Sequence, residues 1–282
     1  MKNYSSLVSL AIPTFNSGKT LETTLLSIKK QTYPNIEVIV ADGGSIDNTL
    51  SIAKKYNAKI CFAKELGRAR YEAFKKSKGV FIFALDSDQF IDENTVKKCV
   101  DLMVEKKYDA LILSEKSVIR KGTLVEKILS YDKLVVNSAK DLDPVFGASI
   151  PRFFLRKTLL GLNWPKTLSI LDDAVLIKEF IQKNNQIGFA QEIYIRHYEV
   201  DSFTVLFKKF IRHGKLYIPT MRVSAGTIIA HSLPRRAYLT RRVFSKPNIL
   251  FGLSILYAIK SVAVLTGIMI YLFQETFKYK AK

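Results

Sequence analysis

Three apolar runs near the start of the chain each break off in a polar, turn-forming stretch, and this repeated ending constrains the fold most. Leu7 to Ile12 runs into Pro13-Thr14-Phe15-Asn16. Ile36 to Val40 runs into "ADGGSIDNT", Ala41 to Thr49. Val80 to Leu85 runs into Asp86-Ser87-Asp88. Between and after them lie helical spacings: Gly18 to Lys30, with Leu21, Leu25 and Ile28 on one face, then Asp47 to Tyr56, Arg68 to Lys78 and Glu93 to Lys106. Ala58 to Ala63 and Asp109 to Leu113 read as further strands. Uninterrupted apolar strands alternating with helices are buried on both faces. The pattern predicts an α/β fold with a mostly parallel sheet.

The second half is less regular. Leu124 to Val136 has helical spacing, Pro144 to Ile150 reads as a loop or short strand, Leu168 to Gln182 as an amphipathic helix, and Ile187 to Ile195 as a strand. From Phe203 the sequence "FTVLFKKFIRHGKLY" mixes large apolar residues with Lys208, Lys209, Arg212 and Lys215. That pattern suits either a helix on an anionic membrane surface or a surface helix packed on the domain. Ile249 to Phe273 is almost wholly apolar, broken by Lys260. As a helix it would rise about 37 Å, against a hydrocarbon core of about 30 Å. A membrane-embedded segment is expected, either one tilted span or a re-entrant hairpin broken near Lys260, although a charge at mid-span is costly. Arg235, Arg236, Arg241, Arg242 and Lys246 precede this segment, and Lys278, Lys280 and Lys282 follow it. That bias leaves the N-terminal domain on the cytoplasmic side of the cell membrane.

Composition narrows the partners. Hydrophobic residues make up 48% of the 282, which excludes global disorder, and the net charge of +19 favours anionic partners. The positive charge is spread over helices rather than interleaved with aromatics that stack bases, so nucleic acid is not expected. Cys61 and Cys99 form no disulfide framework or zinc pair. The N-terminal apolar run is short and ends at Pro13, unlike a signal peptide.

In an open α/β sheet, ligands bind beyond the carboxyl ends of the strands. The turn Asp42-Gly43-Gly44-Ser45 there is either a helix-capping turn or a close backbone approach to a ligand, with Asp42 accepting from a nucleobase imide. Asp86 and Asp88 are spaced by one residue, so both side chains can point the same way. They are either a polar turn or hard oxygen ligands for Mg²⁺ or Mn²⁺, which in turn hold a diphosphate. Asp172 and Asp173 open a helix, as acids favoured by its dipole or as a general base facing a crevice. His197, His213 and His231 lack metal-ligand spacing; His197, near a strand end, is the one placed to take part. No GxGxxG, Walker lysine loop or GxSxG elbow is present.

Taken in order, "VSLAIPTFN", "IEVIVADGGSIDNT", "GRARYEAFKKSKGVFIFALDSD", "LDDAVL" and "FKKFIRHGKLY" resemble the family 2 glycosyltransferases of the GT-A fold. The resemblance is dense over residues 7–115 and thinner over 145–215. It implies a GT-A catalytic domain over 1–200, with a nucleotide-sugar half over about 1–115 and an acceptor half over about 116–200. The residue pattern, not the resemblance, sets off a basic amphipathic membrane-interface region over 201–248 and a hydrophobic membrane segment with a basic tail over 249–282. Pro13, Thr14, Asn16, Asp42 and Gly43 would line the nucleotide pocket, with Asp42 on the base. Arg70 would face the phosphates. Asp88 would ligate Mn²⁺ or Mg²⁺, with Asp86 beside it toward the sugar or ribose. Asp173 would be the base, with Asp172 in the place where the family carries Glu. Lys209, Arg212 and His213 match a region that contacts acceptor or diphosphate, although the family's Gln and Trp are absent there, which disfavours a processive polysaccharide synthase. The implied activity is metal-dependent, inverting transfer from a nucleotide sugar, UDP favoured and GDP possible. The basic C-terminal third suggests a membrane-associated acceptor such as a polyprenyl phosphate or lipid-linked glycan. Two rivals are a sugar-nucleotide nucleotidyltransferase, which would carry a Gly-rich basic loop after the first strand, and a non-enzymatic basic membrane-surface protein, which leaves the acidic strand ends unexplained.

Overall fold

This computed structural model describes residues 6–137, 150–232 and 247–280. Among these, the order is β1 (Val8–Thr14), α1 (Leu21–Lys29), β2 (Ile36–Asp42), α2 (Thr49–Lys55), β3 (Lys59–Phe62), α3 (Leu66–Lys76), β4 (Phe81–Ala84), β5 (Gln89–Ile91), α4 (Thr95–Lys106), β6 (Ala110–Val118), α5 (Leu124–Asn137), β7 (Pro151–Leu155), α6 (Arg156–Leu160), α7 (Asp172–Gln182), β8 (Ile187–Tyr198), α8 (Phe203–Ser232) and α9 (Pro247–Lys280). They divide into two compact units, Met1–Lys116 with Ser149–His197, and Ser117–Ala148 with Tyr198–Lys282. Residues 117–137 thus group with the C-terminal helices.

The first unit is built on an eight-stranded sheet of order β3-β2-β1-β4-β7-β6-β8-β5. The expected parallel arrangement holds over β3-β2-β1-β4. Beyond β4 the sheet is mixed, with β7 antiparallel to both β4 and β6, and β5 antiparallel to β8. Alternation along the strands separates two apolar layers. Phe81, Phe83 and Phe153 join α1 and α4 residues such as Leu25, Ile28, Cys99 and Met103 on one face. Ile82, Ala84 and Phe154 join Ala73, Phe74, Trp164, Ile177 and Phe180, from α3, α7 and the segment before α7, on the other. Coverage on both faces is why the strands read as unbroken apolar runs.

Boundaries differ where single residues leave the helical region. The helix expected from Leu168 starts at Asp172, because Leu171 is left-handed at φ 55°. That region disfavours a branched side chain and costs roughly 1 kcal/mol or more.

In the second unit, α5, α8 and α9 share a small core of Val125, Ile128, Leu206 and Leu256. Pro219 lies inside α8, and Ser224 breaks its helical dihedrals at φ −152° and ψ 83°. A Cβ on Gly214 would overlap the Val264 carbonyl, and one on Gly267 the Ile211 carbonyl, so α8 and α9 meet backbone to backbone. Lys260 points inward, 3.6 Å from Asp132 of α5 and over the rings of Phe210 and Tyr257. This accounts for a charge in the apolar segment: its partners are protein groups. Leu250–Phe277 has mean hydropathy 2.0 and is 22% buried, so among the described residues one stretch is long and apolar enough to cross a membrane. Arg235, Arg236, Arg241, Arg242, Lys246, Lys282 and residues 144–149 lie outside the described residues.

Candidate active site

The site grows from strand register. Thr14 pairs with Asp42, and Ala11 pairs with Ala84, so the turns after β1, β2 and β4 leave one edge of the sheet together. Side chains then cross-link them. The Thr14 hydroxyl donates to Asp42 Oδ1 at 2.8 Å, and the Gly43 N–H to the Thr14 carbonyl at 2.8 Å. Asn16 donates its N–H to Ser45 Oγ at 2.8 Å and accepts from the Ile46 N–H at 3.0 Å. Gly44 holds φ +94°, a value for which glycine is required.

Asp42 is fully buried and committed to this turn. Its Oδ2 accepts from the Gly44 and Ser45 N–H groups, and its Oδ1 from the Ser45 and Thr14 hydroxyls. Burial pulls its carboxyl upward, but the bonds from Ser45, Thr14 and Gly44 outweigh it and hold the group below its ordinary range. Both oxygens of Asp42, expected to face a nucleobase, also organise the loop. The turn leaves Phe15 and Ile46 exposed at its rim.

Asp86 and Asp88 divide in the same way. Asp86 Oδ1 lies 2.9 Å from Arg70 Nη2, and its Oδ2 lies 3.2 Å from Arg152 Nη2. Burial raises this carboxyl, yet Arg152 and Arg70 prevail and hold it well below the usual carboxylate range. Asp88 is 43% exposed, with its Oδ2 3.3 Å from His197 Nε2. The antiparallel pairing of Gln89 with His197 brings that histidine to the turn. Ser87 is more than a spacer: its Oγ lies 2.8 Å from Ser17 Oγ, and its carbonyl accepts from the Thr24 hydroxyl at 3.1 Å.

Arg70 joins this turn to the acids of α7. Its Nη1 reaches both Asp172 oxygens at 2.9 Å, and Asp173 Oδ2 at 3.6 Å. The contact depends on Gly67. A Cβ there would come within 2.5 Å of the Pro165 carbonyl, so only glycine lets the start of α3 sit against the loop before α7. Burial weakens the Arg70 cation, but Asp172, Asp86 and Asp173 outweigh it and raise its pKa. Burial pushes Asp172 up to about 6, against the pull of Arg70. Asp172 is thus a sealed partner of Arg70 at 1% side-chain exposure, whereas Asp173 is 24% exposed.

Sequence reasoning missed Arg152 and Glu115. Arg152 Nη2 also bonds Glu115 at 3.3 Å, and Gln89 Nε2 donates to the same oxygen at 3.1 Å. Nothing in local spacing marks these residues; only the antiparallel register of β7 places them. Lys209, Arg212 and His213 lie on α8 in the second unit. A hollow of about 560 Å³ opens elsewhere, lined by residues including Ser27, Lys30, Asp92, Lys98, Glu192 and Tyr194.

As a metal holder, the donor set is partial. Among the described residues no group of three or more His, Cys, Asp or Glu is arranged for a metal. Asp88 and His197 offer one oxygen and one nitrogen side by side, which fits an ion whose other positions come from a diphosphate and water.

The α/β sheet thus carries an acidic DxD turn and a paired-acid helix joined through Arg70. The sequence matches the family described as Glycosyl transferase family 2 over residues 9–162, more than half the chain, and the protein belongs to that family. TarS of Staphylococcus aureus (strain MW2), a poly(ribitol-phosphate) beta-N-acetylglucosaminyltransferase, is 34% identical over 65% of this chain and 34% of its own length. The crystal structure of TarS 1-349 in complex with UDP-GlcNAc superposes with a TM-score of 0.57 at 19% identity, covering 98% of this chain and 92% of that one. WfgD of Escherichia coli, a UDP-Glc:alpha-D-GlcNAc-diphosphoundecaprenol beta-1,3-glucosyltransferase, is 31% identical over 46% of this chain and 56% of its own. The mannosyltransferase PcManGT from Pyrobaculum calidifontis, in complex with GDP-Man and Mn²⁺, gives a TM-score of 0.56 at 18% identity, covering 95% of this chain and 74% of that one. The chain thus spans about a third to a half of these two curated relatives.

Proposed function

We propose that the protein is an inverting, metal-dependent transferase that moves a sugar from a UDP-sugar, or less readily a GDP-sugar, to a membrane-associated acceptor such as a polyprenyl phosphate or lipid-linked glycan. The observation that carries this reading is the division of labour among the acids. Asp42, Asp86 and Asp172 each bond at short range to protein partners, while Asp88 is 43% exposed with its His197 contact at 3.3 Å and Asp173 meets Arg70 only at 3.6 Å. Asp88 with His197 would hold the ion, and Asp173 would serve as base. Relatives and neighbours named for UDP-Glc, UDP-GlcNAc, and GDP-Man with Mn²⁺ support the donor and metal classes.

When bound, a divalent ion offsets the charge that develops on the departing nucleoside diphosphate. Asp173 takes the proton of the acceptor hydroxyl as its oxygen attacks the anomeric carbon from the face opposite the diphosphate. A single displacement inverts that carbon. Arg70 keeps the DxD turn and the base in fixed relation. For an acceptor that is already an ionised phosphate, Asp173 positions rather than deprotonates.

The acceptor class rests on WfgD's diphosphoundecaprenol and on the exposed apolar flank of α9, where Phe251, Val262, Leu265, Met269 and Phe273 face outward. With the +19 charge, this supports a cell-membrane location with the first unit on the cytoplasmic side. Asp173→Asn tests the base. It should retain Mn²⁺-dependent nucleotide binding and lose turnover by roughly 10²-fold or more; unchanged turnover moves the base elsewhere.

A further inference from the structure

One buried cation has no task in this reading. Arg152 lies on β7, antiparallel to β4, and register places it across from Ala84, just ahead of the DxD turn. Its side chain is 12% exposed, and its Nη2 is shared between Asp86 Oδ2 at 3.2 Å and Glu115 Oε1 at 3.3 Å. Arg70 already supplies Asp86 with a guanidinium on the other oxygen. Arg152 therefore bridges two acids that come from different strands, and a buried charge held between two partners fixes their relative geometry.

We propose that Arg152 is a positioning residue of the transfer site, fixing the DxD turn through Asp86 and tying it to strands β7 and β6. This rests on the donor-site reading above. The chain of contacts runs from Glu115 through Arg152, Asp86 and Arg70 to Asp173. It spans the donor side and the base. Freeing one end leaves Asp86 to Arg70 alone, and the turn carrying Asp88 loses one of its anchors. Reacting atoms displaced by about 1 Å lose roughly 10²-fold in rate, whereas Asp88 keeps its own contact with His197. The effect therefore falls on kcat rather than on donor KM.

The fold should survive removal of Arg152, because both acids keep another partner: Asp86 keeps Arg70, and Glu115 keeps Gln89. The full chain would be tested as wild type, Arg152→Gln and Arg152→Lys. Each would be followed by release of UDP from UDP-GlcNAc and from UDP-glucose, and of GDP from GDP-mannose, with MnCl₂ and water as acceptor, alongside thermal melting. The expected result is a roughly 10²-fold lower kcat for Arg152→Gln. KM and melting temperature should stay near wild type, with partial recovery in Arg152→Lys. Wild-type kcat in Arg152→Gln overturns the proposal. So does a loss that follows a lowered melting temperature, which marks a purely structural role. If the wild type neither binds nor hydrolyses any of these donors, the functional reading itself fails and this inference falls with it.

Discussion

Asp88 and Asp86 sit two residues apart and have opposite environments. Asp88 reaches out beside His197, and Asp86 is gripped by Arg70 and Arg152. Asp88→Ala should abolish Mn²⁺-dependent nucleotide binding without lowering the melting temperature, as titration calorimetry with UDP and MnCl₂ and a thermal melt would show. The locked acids predict stability against pH. The folded-state pKa of Asp86 is depressed, so its contribution is present above the unfolded value of about 3.9 and is lost as pH falls below it. Asp172 has the opposite sign. Its folded value is raised to about 6, so its contribution is full below about 3.9 and declines as pH rises from there through 6. Replacing Asp86 by Asn should flatten the acid side of a melting-temperature profile over pH 3 to 5, whereas an unchanged slope there would assign it to other carboxylates.

Helix α3 shows how an element sets the site. Gly67 lets its first turn press on the loop before α7, and one turn later Arg70 reaches Asp172. Gly→Ala inside an exposed helix gains up to about 1 kcal/mol, but the Pro165 and Leu168 carbonyls stand where the methyl would go, and overpacking costs roughly 1–3 kcal/mol. Gly67→Ala should therefore destabilise the protein in urea and reduce turnover together; a stabilised, fully active variant would contradict this packing. The same element marks what the sequence could disclose. The strand ends at Thr14, Asp42 and Asp86 were legible because buried strands leave apolar runs that stop abruptly at polar turns. β5 and β7 were not, since three and five residues carry too little period to register. With β7 went Arg152, whose position depends on antiparallel pairing rather than on neighbours in sequence. The loop partners of Asp42 were not legible either: a carboxylate at a ligand-facing turn looks free in sequence, and only coordinates show it also bonding Gly44, Ser45 and Thr14.

Taken whole, the protein pairs an α/β unit bearing the acidic site with a helical unit rich in exposed apolar and basic side chains. Lys260 and the Gly214–Gly267 contact show that α9 packs with α5 and α8. Flotation with vesicles should show binding to anionic lipid that weakens with salt yet persists in part at high salt, through the apolar flank of α9. Equal, salt-independent binding to neutral vesicles would remove the basic surface from the account. The central claim, a metal-assisted nucleotide-sugar site at the strand edge, is tested most directly by calorimetric titration of UDP- and GDP-sugars with and without MnCl₂. The account predicts that at least one donor binds, that binding disappears with EDTA, and that Asp88→Ala abolishes it. Binding of none, or binding indifferent to both the metal and Asp88, would contradict it.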